Sequence, residues 1–113
     1  MSDVFISTNG DQRAIPGALD YLKDPDRDSQ LLTNAAADTD TTATVIAGKR
    51  YLLTCKAVGN FYAGLADATV AANVQWVAQL SQPGVVVTIP LGYTALHFAT
   101  SVNNGLAYLI PLK

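Results

Sequence analysis

The chain has 113 residues, 50% of them hydrophobic, with one cysteine and a formal net charge of −2. This length and composition are typical of one globular domain and exclude an intrinsically disordered chain. The weak charge and the scattered basic residues do not favour binding to nucleic acid or to a membrane surface, and no apolar run approaches the roughly 18 residues that span a bilayer. A single cysteine excludes an internal disulfide.

Charge is distributed unevenly along the chain. Eight of the nine acidic residues lie before residue 41, and after Lys56 only Asp67 and Lys113 carry a formal charge. We therefore divide the chain into a polar leader, residues 1–40, and a β-sandwich body, residues 41–113. A body of about 73 residues buries only about 60% of the surface of its unfolded chain, so a partner subunit would stabilise it.

The leader has no continuous hydrophobic period and contains most of the aspartates. Short apolar segments are spaced along it as expected of an extended N-terminal arm that becomes ordered when it binds a partner. The arm residues predicted to contact that partner are Phe5, Leu19, Leu22 and Leu32.

In the body, β-forming residues alternate with turn residues. Glutamate is absent and threonine, valine and alanine are frequent, a composition that favours short strands over helices. Glycine, proline and asparagine separate the β-rich segments at the regular spacing of a sandwich or barrel. We predict an all-β, jelly-roll-like β-sandwich preceded by the extended N-terminal arm. Its seven predicted strands are Thr42–Ala47, Arg50–Val58, Asn60–Ala66, Val74–Leu80, Val85–Ile89, Ala95–Thr100 and Leu106–Pro111.

Alternation within the predicted strands assigns side chains to two faces. In the second strand, Tyr51 and Leu53 alternate with Thr54, which places the first two in the core. Several outward positions are nonetheless apolar, and apolar patches on a protein surface commonly mark contact sites. The body residues predicted to form a protein interface are Leu52, Val77 and Val86.

Three aspartates at alternate positions, Asp24, Asp26 and Asp28, resemble the start of a calcium-binding loop. The rest of the pattern differs, because Ser29 stands where that loop needs glycine and Ala35 stands where it needs a bidentate glutamate. The segment is therefore interpreted as a solvated acidic turn, and no metal site is predicted.

Cys55 and His97 are the only cysteine and the only histidine. Cys55 falls on the predicted core face, where a thiol is unreactive. His97 lacks the cluster that a metal site needs, and although Asp67 could meet it in space, no nucleophile signature completes a catalytic triad. We predict no catalytic residue and no cofactor.

Aromatic side chains support a further hypothesis, because a sandwich lectin would stack them on a sugar. Tyr62 and Tyr93 are the candidates for such a carbohydrate site. Phe61, Trp76 and Tyr108 are explained equally well as core residues, since large aromatic side chains commonly fill small sandwich cores.

Two pairs of segments in the body carry a family resemblance. Residues 47–55 (AGKRYLLTC) lead to 60–65 (NFYAGL), and residues 89–98 (IPLGYTALHF) are followed by 106–109 (LAYL). A Gly-basic-aromatic step before a glycine-containing aromatic strand, and a Pro-x-Gly turn before a Thr-x-Leu-His strand, are similar to small β-sandwich structural proteins of tailed bacteriophages. The resemblance covers residues 43–112 and does not include the leader.

The resemblance implies a virion component, most often a head decoration or cement protein on the capsid surface, assembled in the host cytoplasm. Its expected partners are the major capsid protein and sister copies in a homo-oligomer, for which a trimer is the favoured state. The alternative is a neck, tail or fibre subunit of the phage, including a carbohydrate- or receptor-binding module. An enzyme is the least favoured class.

Overall fold

The computed structural model describes residues 22–57 and 59–113. Within them the chain forms eight strands and one short 3-10 turn, Ala71–Asn73. In chain order the strands are β1 (Gln30–Asn34), β2 (Thr41–Thr44), β3 (Arg50–Cys55), β4 (Asn60–Gly64), β5 (Val74–Gln79), β6 (Val85–Thr88), β7 (Ala95–Thr100) and β8 (Gly105–Pro111).

The strands form two antiparallel sheets of four. The first sheet has the order β1-β8-β3-β6 and the second has the order β2-β7-β4-β5. β1 pairs with β8, β2 with β7, β3 with β6 and β4 with β5, so the chain runs like one long hairpin wrapped into two layers. This connectivity is that of a jelly roll. It confirms the predicted all-β, jelly-roll-like sandwich.

The hydrophobic core lies between the two sheets and is built from alternate residues of their strands. Leu53 of the first sheet and Leu96 of the second are fully buried there. Phe61 is also fully buried and stacks on Phe98, with ring centroids 5.1 Å apart, a geometry that favours aromatic pairs. The inward positions predicted for Tyr51 and Leu53 of β3, and the core position offered for Phe61, are confirmed.

All seven predicted strands are present, with some ends shifted by up to three residues. β3 ends at Cys55 rather than at Val58, which itself lies outside the described residues. β2 ends at Thr44 rather than at Ala47, because the chain already turns towards Gly48, whose φ of 79° favours glycine.

β1 is not among the predicted strands; it lies within the predicted leader and pairs with β8 along its whole length. Leu32 (4% exposed) and Asn34 (1% exposed) point into the sandwich. The side-chain amide of Asn34 donates to Thr100 Oγ1 at 3.2 Å and to the carbonyl of Thr39 at 3.1 Å, which offsets the cost of burying it. Because Asn34 is polar, the sequence of β1 does not show the alternation of hydrophobic and polar residues that identifies a strand.

Residues 22–28 are also fixed to the sandwich. The backbone N–H of Asp24 donates to the carbonyl oxygen of Pro111, at the end of β8, at 2.9 Å. Arg27 donates from Nη2 to the carbonyl of Leu112 at 2.7 Å, and its guanidinium lies 5.3 Å from the centroid of the Tyr51 ring. This cation–π contact ties the segment to the core.

These contacts correct two predictions. The sandwich begins before residue 41, so the arm predicted for residues 1–40 is wrong for residues 22–40, and residues 1–21 lie outside the described part of the chain. Leu32 is a core residue, so the contact with a partner that was predicted for it is also wrong.

Candidate functional site

The outer face of the first sheet is apolar at its centre. Leu52 lies opposite Val86 on one neighbouring strand and opposite Ile110 on the other. Leu31 lies opposite Tyr108, and these two side chains are 54% and 37% exposed. We call this surface the apolar face; its residues are Leu31, Leu52, Val86, Leu106, Tyr108 and Ile110.

Along β3, the outward side chains that border the apolar face are charged only at the two ends. Lys56, just beyond the strand, packs over Tyr108 with Nζ 4.7 Å from the ring centroid, a cation–π contact. At the other end, Arg50 Nη2 donates to the carbonyl of Lys113 at 3.2 Å. The surface between these two cations is uncharged and can be covered by a partner without burying a charge.

The predicted interface residues of the body do not share one surface. Leu52 and Val86 lie side by side on the apolar face. Val77, which is 41% exposed, lies opposite Tyr62 and points outward from β5 in the second sheet. Because the outer faces of two packed sheets point in opposite directions, Val77 is not part of the same contact as Leu52 and Val86.

The predicted arm residues have different outcomes. Leu22, at the start of the described chain, is 46% exposed, and its carbonyl accepts a hydrogen bond from the Lys113 N–H at 3.0 Å. Leu32 is buried, as stated above. Phe5 and Leu19 lie outside the described residues.

Four members of the apolar face, Leu31, Leu106, Tyr108 and Ile110, were not predicted from the sequence. Leu31 alternates with the core residue Leu32, a signal that can be interpreted only once residues 30–34 are recognised as a strand. Tyr108 lies on the outer face, so the core position offered for it is wrong. Trp76 is half-buried and packs against the core, as expected.

A groove lies on the outer face of the second sheet. Tyr62 and Val77 face each other across β4 and β5 and form part of its floor. The loop of residues 65–73 forms one wall, and the groove has a volume of about 470 Å³. We call it the sheet groove; its lining includes Asp38, Tyr62, Thr69, Ala71, Val74 and Val77.

Asp40 holds the wall of the sheet groove in place. Its Oδ1 accepts the backbone N–H of Ala68 at 2.9 Å, and its Oδ2 lies 2.8 Å from Nδ1 of His97 on β7. One carboxylate therefore ties the 65–73 loop to the sheet. Asp67, which the sequence suggested as a neighbour of His97, is close enough for an electrostatic interaction with it. The hydrogen bonds of the Asp67 carboxylate, however, lie within the 65–73 loop.

Asp67 organises the turn at the tip of the loop. The hydroxyl of Thr69 donates to Asp67 Oδ1 at 2.6 Å and the Thr69 N–H donates to the same atom at 2.9 Å. These two hydrogen bonds lower the pKa of Asp67 from its ordinary value of 3.8. The carboxylate is therefore charged at neutral pH, where it keeps the turn closed.

Gly64, at the end of β4, allows the loop to return closely over the sheet. A Cβ at this position would overlap the carbonyl oxygen of Asn73. The register between β4 and β5 also shifts after Ala63, which marks a β-bulge. Bulges re-aim a strand at the rim of a sheet, and this one directs the loop along the edge of the groove.

The side chains considered for catalysis lie in different layers. Cys55 is a free, half-buried thiol on the first sheet, and its Sγ lies 3.0 Å from the carbonyl of Ala57. His97 lies on the second sheet and pairs with Asp40. The thiol and the imidazole are thus not brought together.

The acidic turn is held by its own hydrogen bonds. Asp24 accepts the N–H of Asp26 at 2.9 Å and Nε of Arg27 at 2.9 Å. These bonds lower the pKa of Asp24, chiefly through the Asp26 amide and then through Arg27. Within residues 22–57 and 59–113, no group of three or more His, Cys, Asp or Glu side chains is arranged to hold a metal ion.

The tyrosines proposed for a sugar site are separated. Tyr62 lines the sheet groove, and its hydroxyl accepts a hydrogen bond from Asn60 Nδ2 at 3.2 Å. Tyr93 is exposed beside the turn before β7 and does not line the groove. One of the two candidates therefore lies in a concave site.

No protein-family model, curated protein or solved structure matches this chain. Across the described segments, no helix has the length and hydrophobicity needed to cross a bilayer.

Proposed function

We propose that this protein is a non-enzymatic structural subunit of a tailed-bacteriophage virion, a capsid decoration or cement protein. Its copies self-associate on the capsid surface and clamp neighbouring major capsid proteins. The apolar face is the observation that carries the proposal, because it presents uncharged, partly exposed side chains on a rigid jelly roll. The bacteriophage assignment is supported by the resemblance of residues 43–112.

Burial of the apolar face would supply the free energy of self-association. Apolar surface contributes about 25 cal/mol per Å² removed from water, and an interface of standard size buries about 800 Å² from each partner. The entropy lost on association offsets much of this gain. Each contact is therefore modest, and many copies on one shell provide the stability of the whole layer.

The proposed oligomer is a trimer. In a closed trimer every interface is heterologous, so the apolar face of one copy packs against a different surface of the next copy. Every apolar face is then buried, because the apolar face of each copy is covered by the next copy around the ring.

The first part of the leader, residues 1–22, provides the contact with the shell. Phe5 and Leu19 precede the described residues, and Leu22 at their start is exposed. These three side chains bind the major capsid protein, while the sandwich forms a compact cap above it. Dispersed side chains let a short segment cover a wide area of the partner.

Addition of the purified protein to capsids that lack it tests this function. Intact protein is expected to bind and to raise the melting temperature of the capsid, because a ligand that binds only the assembled state stabilises that state. A variant without residues 1–21 retains every described strand and is expected neither to bind nor to raise the melting temperature. Calorimetry and co-sedimentation of the capsids measure both effects.

The matched control is Leu91→Lys, which changes an exposed turn residue outside the predicted interface and outside the leader. It is expected to bind capsids as the intact protein does. Equal stabilisation by the truncated and intact forms would remove the leader from the mechanism. Failure of both forms to bind would instead favour the neck, tail or fibre alternative.

A further inference from the structure

We infer that the sheet groove is a carbohydrate-binding site that takes one pyranose ring of a surface glycan. The inference does not rest on the proposed capsid function, because the groove and the apolar face belong to opposite sides of the sandwich.

The groove is built before any ligand arrives. Asp40 anchors the loop through Ala68, and Asp67 closes the turn through Thr69. The side-chain amide of Asn73 adds a bond to the carbonyl of Asp67 at 3.1 Å. Because these hydrogen bonds hold the wall at Ala68, Thr69 and Asn73, little conformational entropy is lost when a ligand binds.

The lining matches the mixed surface of a sugar. Val74, Val77 and Ala71 provide an apolar floor and wall, and Tyr62 adds an aromatic ring. The C–H groups of a pyranose pack against such surfaces, which release water when they are covered. The volume of about 470 Å³ lies within the range of small-molecule sites, about 300 to 1,000 Å³.

The polar atoms of the groove distinguish a sugar from other ligands. Asp38 is exposed, and its carboxylate makes no hydrogen bond within the described residues, so it can accept hydrogen bonds from a ligand. The Tyr62 hydroxyl accepts a bond from Asn60 and so has its own hydrogen to donate. A sugar hydroxyl both donates and accepts, and can therefore satisfy Asp38 and Tyr62 together. The ammonium group of a lysine only donates, so it could bond to Asp38 but could not accept the hydrogen of the Tyr62 hydroxyl.

Titration of the ¹⁵N-labelled full chain with methyl pyranosides tests the inference. The probes are the methyl glycosides of glucose, galactose, mannose and N-acetylglucosamine, each followed by amide chemical shifts to about 100 mM, which detects dissociation constants in the millimolar range. At least one probe is expected to shift the amides of Thr69, Ala71 and Val77. No shift at these amides with any of the four probes would overturn the inference.

Variants then assign the binding to the groove. Tyr62→Ala and Asp38→Asn are each expected to weaken binding of the active glycoside at least about tenfold, an effect of about 1.4 kcal/mol. Tyr93→Ala, an exposed tyrosine outside the groove, is the matched control and is expected to leave binding unchanged. Asp38 is exposed, so its variant keeps the test decisive if Tyr62→Ala fails to fold. Binding that survives both substitutions would contradict the proposed site.

A cationic probe provides the last comparison. Butylammonium carries an apolar stem and a positive head, like a lysine side chain. It is expected to shift the groove amides less than the best glycoside at the same concentration. Tighter binding of butylammonium than of every glycoside would show a site for basic side chains and would overturn the carbohydrate assignment.

Discussion

Deletion of residues 1–40 is expected to prevent formation of a stable sandwich, whereas deletion of residues 1–21 is expected to leave every described strand in place. The longer deletion removes β1, whose backbone pairs with β8 over five residues. It also removes the core residue Leu32 and the buried Asn34. Loss of one buried leucine side chain alone costs about 2 to 5 kcal/mol. Domains of this size are stable by only about 5 to 15 kcal/mol.

Urea denaturation followed by far-ultraviolet circular dichroism measures this difference. The chain without residues 1–21 is expected to show a cooperative transition, and the chain without residues 1–40 is expected to show little sheet signal even before urea is added. The full chain provides the reference for both. Equal unfolding midpoints for the two deletions would contradict the assignment of β1 to the sandwich.

Substitution of Leu52 and Val86 by lysine is expected to convert the proposed oligomer into a folded monomer. The two positions lie opposite each other on adjacent strands of the apolar face. Covering them in an interface would then bury two unpaired ammonium groups, which costs several kcal/mol per charge. Both positions are half-buried on an outer face and not in the core, so the sandwich itself is expected to keep its fold.

Sedimentation velocity measures the oligomeric state, and circular dichroism verifies the fold. Leu91→Lys is the matched control, because it adds a lysine at an exposed turn residue outside the predicted interface. It is expected to sediment as the unchanged protein does. The account fails if the Leu52→Lys, Val86→Lys variant keeps the wild-type mass, or if the unchanged protein is already monomeric at the high concentrations used for assembly.

The fold class follows from the sequence because most strands of a sandwich show a local signal. In β3, Tyr51 and Leu53 alternate with Leu52 and Thr54, and the turns around the strand contain glycine. This period of two is visible without knowledge of the partner strands. It predicted seven of the eight described strands.

β1 lacks this local signal. Its inward residues are Leu32 and Asn34, and the asparagine is compatible with the core only because Thr100 and the carbonyl of Thr39 accept its amide hydrogens. Those acceptors become its neighbours only after folding. A buried polar residue with distant partners therefore hides a strand from an analysis of hydrophobic pattern.

The candidate sites were only partly predictable for the same reason. Leu52 and Val86 were identified by their outward positions, but strand order decides that they adjoin each other and that Val77 faces the opposite way. The sheet groove depends on Asp40, which lies 57 residues from its partner His97 in the sequence. Contacts across such separations depend on the sheet topology and cannot be inferred from the residue pattern of a single sequence.

Cryo-electron microscopy of a phage particle that contains this protein is the decisive test of the proposed capsid role. The account predicts a jelly roll on the outer surface of the capsid, with the apolar face of Leu31, Leu52 and Tyr108 buried against a sister copy and residues 1–21 lying on the major capsid protein. A particle in which the protein is absent from the shell, or in which the apolar face is open to solvent in every copy, would contradict it.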